Sequence, residues 1–133
     1  MHPRFKEREL CIWKKRSEYL KLLGFASYGA YLKSELWNSI RQRVFERDGG
    51  KCRLCGKVAS QVHHTTYDYE TLGGYKLDKM YSSCAGCHRH VSIKPNGKRR
   101  NFFQTLGITE LRLRRQTYDN DSLLERMFFE TGE

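Results

Sequence analysis

The chain has 133 residues and carries 25 Lys and Arg against 15 Asp and Glu, a formal net charge of +10. That length fits one small domain with flanking arms. No apolar run approaches the roughly 18 residues that a membrane helix needs, and the charged N-terminus lacks the apolar stretch of a secretory signal. We therefore expect a non-membrane, non-secreted protein, and the positive charge indicates a polyanionic partner, for which nucleic acid is the usual candidate.

The N-terminal segment predicts one amphipathic helix over residues 5–23. Leu10, Trp13 and Leu20 can share one face of this helix, and Gly24 provides a stop. The lysines lie off that face, so we expect one apolar side and one basic side.

A second helix is predicted after a linker of small and aromatic residues over 25–31. Ser34 can cap the start of this helix, and the helix is expected to end at the Asp-Gly-Gly sequence of residues 48–50. An apolar stripe at helical spacing is formed by Trp37, Ile40 and Val44. Three arginines lie off the stripe, and charge alone does not decide whether they are solvated or contact nucleic-acid phosphates. These arginines are Arg41, Arg43 and Arg47.

Four of the five cysteines form two Cys-x-x-Cys pairs, which are Cys52, Cys55, Cys84 and Cys87. Two such knuckles provide the four thiolates of a closed tetrahedral zinc site, which would be structural rather than catalytic. An iron–sulfur cluster is the minor alternative. Gly56 allows the tight turn of the first knuckle, and we expect the remaining Cys11 to be a free, half-buried thiol.

Short strands are predicted over 61–64 and 77–82, with a loop over 65–74 between them. A helix opens at Cys84 and ends before a Pro-Asn-Gly turn. A basic loop with two adjacent phenylalanines follows, and 121–130 predicts a short amphipathic helix.

Four of the five histidines lie inside or just after the span between the two cysteine pairs. His63 and His64 are adjacent on a predicted strand, so their side chains point to opposite faces, while His88 begins the following helix. Two imidazoles can hold a divalent metal, and a third can act as a base near neutral pH. A surface strand or auxiliary zinc ligands would give the same spacing, so both interpretations remain open. His90 faces away from His88 on the helix.

The stretch from Tyr31 to Val91 resembles the HNH endonucleases of the zinc-containing ββα-metal class. The matching pieces occur in the family's order: a helix with Trp and Arg, Cys-x-x-Cys, Val-His-His, Thr-Tyr, Leu-Gly and Cys-x-x-Cys-His. The resemblance implies an α+β fold with a ββα-metal core, stapled by a four-cysteine zinc site and flanked by helices. It divides the chain into a basic helical arm (1–30), a nuclease domain (31–93) and a basic loop with a C-terminal amphipathic helix (94–133).

The resemblance also implies catalytic roles. His64 falls on the family's general base, and His63 and His88 fall on the ligands of a catalytic ion. That ion would be Mg²⁺ or Mn²⁺, although imidazole also accepts Zn²⁺ or Ni²⁺. The implied reaction is hydrolysis of DNA phosphodiester bonds with weak sequence specificity. One departure is that no Asn lies between His64 and His88; either Asp78 braces the hairpin instead or the brace is missing and activity is weak.

The expected partner is DNA, contacted mainly through its phosphates. The predicted contact residues are Arg41, Arg43, Arg47, Lys98, Arg99 and Arg100. One site would nick one strand, and double-strand cleavage would need two sites or a homodimer. A phage or host protein partner could direct the protein to a particular DNA sequence. The implied setting is the cytoplasm of a bacterium or a phage-infected host. The alternative function is a non-catalytic zinc-containing module that only binds nucleic acid, which would not need the three histidines.

Overall fold

The computed structural model describes residues 3–115, in which helices surround one two-stranded antiparallel sheet. Every helix in this range is too short or too polar to span a membrane. The elements in chain order are α1 (Pro3–Leu22), α2 (Tyr28–Leu32), α3 (Glu35–Arg47), β1 (Gln61–His64), α4 (Tyr69–Leu72), β2 (Met80–Ser83) and α5 (Ala85–Ser92), followed by a helix over 102–115, called α6 here. The mixed architecture confirms the predicted α+β class.

Helix α1 confirms the first predicted helix, and Gly24 follows it with a φ of 96°, in the region that favours glycine at a helix end. The inward-facing stripe of α1 consists of Glu9, Trp13, Arg16 and Leu20. Leu10 lies about 100° round the helix from Glu9 and is 59% exposed, so its predicted place on the apolar face is wrong. Cys11 lies further round still and is exposed rather than half-buried.

The segment predicted as a linker over 25–31 contains most of helix α2. The Ser27 side chain caps this helix by accepting a hydrogen bond from the Ala30 amide at 3.1 Å. Tyr31 is fully buried, and its hydroxyl donates to the Leu72 carbonyl at 2.7 Å. Because so short a helix is not stable alone, the tertiary contact explains what the composition of the segment did not reveal.

Helix α3 confirms the second predicted helix at both ends. The Ser34 side chain accepts a hydrogen bond from the Trp37 amide at 3.1 Å. The predicted apolar stripe is buried and consists of Trp37, Ile40 and Val44. Asp48 caps the C-terminal end, and Gly49 and Gly50 turn the chain with φ values of 66° and 73°.

The hairpin confirms β1. The second strand was predicted over 77–82, but it begins at Met80 and ends at Ser83. The turn before it is anchored by Arg47, whose guanidinium donates to the carbonyls of Leu77 and Met80, both at 2.6 Å. Asp78, which the sequence suggested as a brace, is exposed. Arg47 on α3 therefore holds the turn.

The loop predicted over 65–74 contains helix α4. The Asp68 carboxylate caps α4 by accepting from the Thr71 amide at 2.8 Å. Gly74 then takes a φ of 76°, and a Cβ at this position would lie 2.7 Å from Ile40 Cγ1. A glycine is therefore needed where this loop packs directly against α3.

Helix α6 replaces part of the basic loop predicted after α5. Its start is a reciprocal capping box: the Asn101 side chain accepts from the Gln104 amide at 2.8 Å, and the Gln104 side chain accepts from the Asn101 amide at 3.0 Å. The Glu9 carboxylate of α1 also accepts from the Phe102 amide at 3.3 Å. The helix predicted over 121–130 lies outside the described residues.

Two buried clusters lie on the two sides of the hairpin. Met80 belongs to the first cluster, which is built from α1, α2, α3 and α4. Tyr81 belongs to the second, which surrounds the cysteines and receives Ile108 from α6. Because neighbouring residues on a strand point to opposite faces, this short hairpin separates two small cores.

Asp48 is a buried carboxylate that joins α3 to the hairpin. Its side chain is 2% exposed and accepts from Arg47 at 3.0 Å and Arg53 at 3.3 Å, and from the Ser82 amide at 2.9 Å. Burial alone would raise the pKa of Asp48, but the hydrogen bonds from Arg47 and Ser82 outweigh burial and hold the pKa below its ordinary value.

We predict that Asp48→Asn lowers the free energy of unfolding by about 1–3 kcal/mol, because it leaves buried donors poorly paired. Urea denaturation measures this loss, with Glu46→Gln on the exposed face of α3 as the matched control. Since the folded pKa lies below the unfolded value near 3.9, the stabilisation is present at neutral pH and is lost as the pH falls below about 4. Equal stability of the two variants at pH 7 would contradict the role assigned to Asp48.

Candidate metal centre and histidine cleft

The two cysteine pairs come together as one cluster. The Sγ atoms of Cys52, Cys55, Cys84 and Cys87 lie within 4.8 Å of one another. The Cys55 and Cys84 sulfurs are 3.6 Å apart, close to the separation of about 3.8 Å that zinc–sulfur bonds of about 2.3 Å give in a tetrahedron. Within residues 3–115, this is the one group of three or more His, Cys, Asp or Glu side chains that could hold a metal ion.

Local backbone geometry orients the sulfurs. The first knuckle closes through Gly56, which has a φ of 81° and whose amide donates to the Cys52 carbonyl at 2.8 Å. In the second pair, Cys84 is the N-cap of α5 and its sulfur accepts from the Cys87 amide at 3.4 Å. This hydrogen bond, together with hydrogen bonds from the other cysteine side chains, lowers the pKa of Cys84 to about 7, which favours the thiolate that binds metals. Burial raises the pKa of Cys55 and Cys87 instead.

A charged side chain also contacts the cluster. Arg112 on α6 donates to the Cys87 sulfur at 3.2 Å, and its other terminal nitrogen lies 3.0 Å from His90 Nδ1. Four thiolates around a divalent ion leave a net negative charge, so a guanidinium at this distance stabilises the loaded site.

A cleft of about 1030 Å³ lies along β1 and is lined from α1, α2, α3, α5 and the start of α6. All three predicted catalytic histidines line this cleft, and they are His63, His64 and His88. Four arginines line it as well, and they are Arg16, Arg41, Arg99 and Arg100. The cleft therefore combines imidazoles with a strongly positive wall.

His63 and His88 face each other across the hairpin and α5, with ring centres 5.2 Å apart. Two imidazoles on one ion, with metal–nitrogen bonds of about 2.1 Å, have ring centres about 5 Å apart, so the separation of the two rings matches that of a shared ion. Burial and the neighbouring His88 lower the pKa of His63 to about 4, and burial lowers the pKa of His88 as well. Both rings are thus neutral at pH 7, as metal ligands must be.

His64 lies on the other face of β1, as strand alternation predicts. It stacks on Trp37 with ring centres 4.6 Å apart and is 4% exposed. Its Nδ1 lies 3.3 Å from the Tyr28 hydroxyl, while Nε2 is buried without a hydrogen-bond partner among the described residues. Burial, His63 and Arg16 lower the pKa of His64 to about 3, so this ring is also neutral.

The six predicted DNA-contact residues separate into three groups. Arg41, Arg99 and Arg100 line the cleft, and Lys98 is exposed in the turn after α5. Arg43 donates to the Gly74 carbonyl at 3.0 Å, so this arginine, like Arg47, holds the connection between β1 and β2. Arg41 and Arg100 also donate to backbone carbonyls, those of Ser60 and His90, each at 3.4 Å.

Two residues of the cleft wall, Arg16 and Tyr28, were not predicted from the sequence. Arg16 had a signal in the sequence, because it shares a helical stripe with Trp13 and Leu20. Tyr28 had none, since its contact with His64 joins residues 36 positions apart.

Comparisons of the chain with protein-family models, curated proteins and solved structures find no match.

We predict that Cys87→Ser removes tight metal binding and lowers the melting temperature by more than about 10 °C, because a metal that ties two segments contributes directly to folding. Elemental analysis of purified protein and thermal unfolding measure the two effects. Cys11→Ser is the matched control, since Cys11 is exposed and outside the cluster. A Cys87→Ser protein with unchanged metal content and melting temperature would rule out the cluster as a metal site.

Proposed function

We propose that this protein is a metal-dependent endonuclease of the HNH class, which hydrolyses phosphodiester bonds of DNA. The observation that carries the proposal is that His63, His64 and His88 line one cleft, with two rings paired closely enough to share an ion and the third ring apart from them. A module that only binds nucleic acid has no need of this arrangement.

The four-cysteine cluster would hold a structural zinc ion. Four thiolates leave no open position for substrate, so its role would be mechanical. The ion would tie the knuckle before β1 to the start of α5, and thereby fix His88 relative to His63. Such a cross-link contributes a larger share of the folding stability in a domain with two small cores than in a larger domain.

His63 and His88 would hold the catalytic ion, Mg²⁺ or Mn²⁺. Two protein ligands leave open positions for water and for phosphate oxygens. When bound, the ion would stabilise the charge that develops on the phosphate and on the leaving 3′ oxygen.

His64 would act as the general base. In the tautomer whose Nδ1–H donates to the Tyr28 hydroxyl, Nε2 is free to accept a proton. A water molecule would give this proton to Nε2 while its oxygen attacks phosphorus in line. The bond from phosphorus to the 3′ oxygen breaks, and that oxygen takes a proton from solvent. Because Nε2 is shielded from bulk solvent, DNA binding must open a path for the attacking water.

DNA would lie against the positive wall of the cleft. Arg41, Arg99 and Arg100 can contact phosphates there, and Lys98 is exposed in the turn just before Arg99. Such contacts carry no sequence information of their own, so the proposal includes weak sequence specificity.

We predict that His64→Ala lowers the single-turnover rate of DNA cleavage by about 10²–10⁴-fold, the usual contribution of a general base. His90→Ala is the matched control, because His90 lies on α5 but is exposed and outside the cleft lining. A labelled duplex with Mg²⁺ or Mn²⁺ measures both rates. His88→Ala, which removes a less buried ring, provides a second test. Because it removes a proposed ligand of the catalytic ion, it should abolish the cleavage that depends on Mg²⁺ or Mn²⁺.

Thermal unfolding and DNA affinity without added Mg²⁺ or Mn²⁺ verify that each variant is folded. Cleavage by folded His64→Ala at the wild-type rate would contradict the assigned base.

A non-catalytic nucleic-acid-binding module is the second candidate, and the burial of His64 Nε2 favours it. If His64 only packs in the core, no path for an attacking water to Nε2 is required. Salt-sensitive DNA binding without cleavage by the wild type in any metal would select this alternative.

A further inference from the structure

We propose that helix α1 completes the cleft and that Arg16 binds a phosphate of the DNA strand being cleaved. The proposal rests on the endonuclease function for the identity of its ligand. It assigns a role to a residue outside the stretch from Tyr31 to Val91, and so gives the N-terminal helix a part in the site.

The position of Arg16 is fixed by contacts on both sides of it along α1. Leu20, one turn later, is buried in the first core. Trp13, one turn earlier, packs against Tyr67 and Phe102 with ring centres 5.5 Å and 5.8 Å apart. The inward direction of Arg16 is therefore a property of the fold.

The guanidinium of Arg16 lies among three aromatic rings. Its central carbon is 4.2 Å from the ring centre of Tyr28, 4.6 Å from that of Trp13 and 5.2 Å from that of Tyr67. The Tyr67 side chain also hydrogen-bonds Arg16. A guanidinium carries five N–H groups, so Arg16 keeps N–H groups that can donate to a further acceptor.

No carboxylate pairs with Arg16 among the described residues. Glu9, on the same stripe, accepts instead from the Phe102 amide. Arg16 Nε is buried and lacks a hydrogen-bond partner in the described part of the chain. Arg16 as a whole is half-buried. Partial removal of a cation from water without a compensating charge is unfavourable, and an anion in the cleft would reduce that cost.

His64 provides the second, independent observation. Its Nε2 is also buried and unpartnered within residues 3–115, and its ring shares two neighbours with Arg16, since Tyr28 and Tyr67 contact both. The two nitrogens have opposite needs: the N–H of Arg16 needs an acceptor, and the free Nε2 of His64 needs a donor.

A phosphodiester with an attacking water meets both needs. A non-bridging phosphate oxygen would accept from Arg16, and the water would donate to His64. Arginine suits this position because its planar fork matches phosphate oxygens. Arg16 would thus hold the phosphate close to the proposed base.

The test compares Arg16→Gln and Arg16→Lys with Arg8→Gln, a control that removes an exposed cation from the same helix. Fluorescence anisotropy of a short DNA duplex without added Mg²⁺ or Mn²⁺, over a range of NaCl concentrations, measures binding without cleavage. We expect Arg16→Gln to bind about 10-fold more weakly and to reduce the slope of log K against log [salt] by about 0.9, the value for one phosphate contact. Arg8→Gln should change affinity less than about 2-fold.

Single-turnover cleavage with Mg²⁺ at saturating protein provides the second readout. We expect Arg16→Gln to slow cleavage at least about 10-fold, as removal of a group that stabilises transition-state charge does. Arg16→Lys keeps a cation among the rings and should recover the salt slope and part of the rate. A purely structural role would instead lower the melting temperature and leave the slope and the saturated rate unchanged.

The outcomes separate this proposal from the endonuclease proposal. Absence of cleavage by the wild type would remove the endonuclease function, while the salt slope without added Mg²⁺ or Mn²⁺ would still test the phosphate contact. If the wild type cleaves DNA but folded Arg16→Gln matches it in slope and rate, the role of Arg16 is overturned and the endonuclease stands. Arg16→Lys equal to the wild type in affinity, slope and rate would also overturn it.

Discussion

The antiparallel register of β1 and β2 positions both halves of the histidine cleft. His63 pairs with Tyr81 and His64 pairs with Met80, so each neighbouring pair faces a different core. A slip by one residue would exchange the two histidines between the faces. The register therefore keeps one imidazole beside His88 and the other among aromatic rings.

The arginines of α3 protect this register. Arg47 donates to the Leu77 carbonyl in the turn before β2 and to the carbonyl of Met80, the first residue of β2. Arg43 holds Gly74 in the same way. A basic residue near a predicted nucleic-acid site can therefore serve the backbone, and only the fold distinguishes that role from phosphate contact. The positive charge facing the cleft comes instead from other side chains, including Arg16 of α1.

Local signals were enough to predict part of this molecule. Ser34 and the Gly-Gly sequence at Gly49 delimit α3, and the cysteine spacing predicts the knuckles, because each pattern reflects contacts within a few residues. The short helices α2 and α4 were missed since their stability comes from tertiary contacts such as the one between Tyr31 and Leu72. The start of α6 had a local signal in its capping box. Hydropathy led to the prediction that Leu10, rather than Arg16, lies on the inward face of α1. A hydropathy scale does not account for a cation that packs among aromatic rings.

Hydrolysis of DNA by the histidine cleft with a divalent ion is the activity on which both proposals converge. It is measured most simply as the conversion of supercoiled plasmid to the nicked form by the wild-type protein, with Mg²⁺, with Mn²⁺ or without added divalent ion, followed by treatment of the product with DNA ligase. We expect nicking that requires added Mg²⁺ or Mn²⁺, and nicks that ligase reseals because they carry 5′-phosphate and 3′-hydroxyl ends. Supercoiled plasmid that is bound but remains intact with every metal would contradict the endonuclease function.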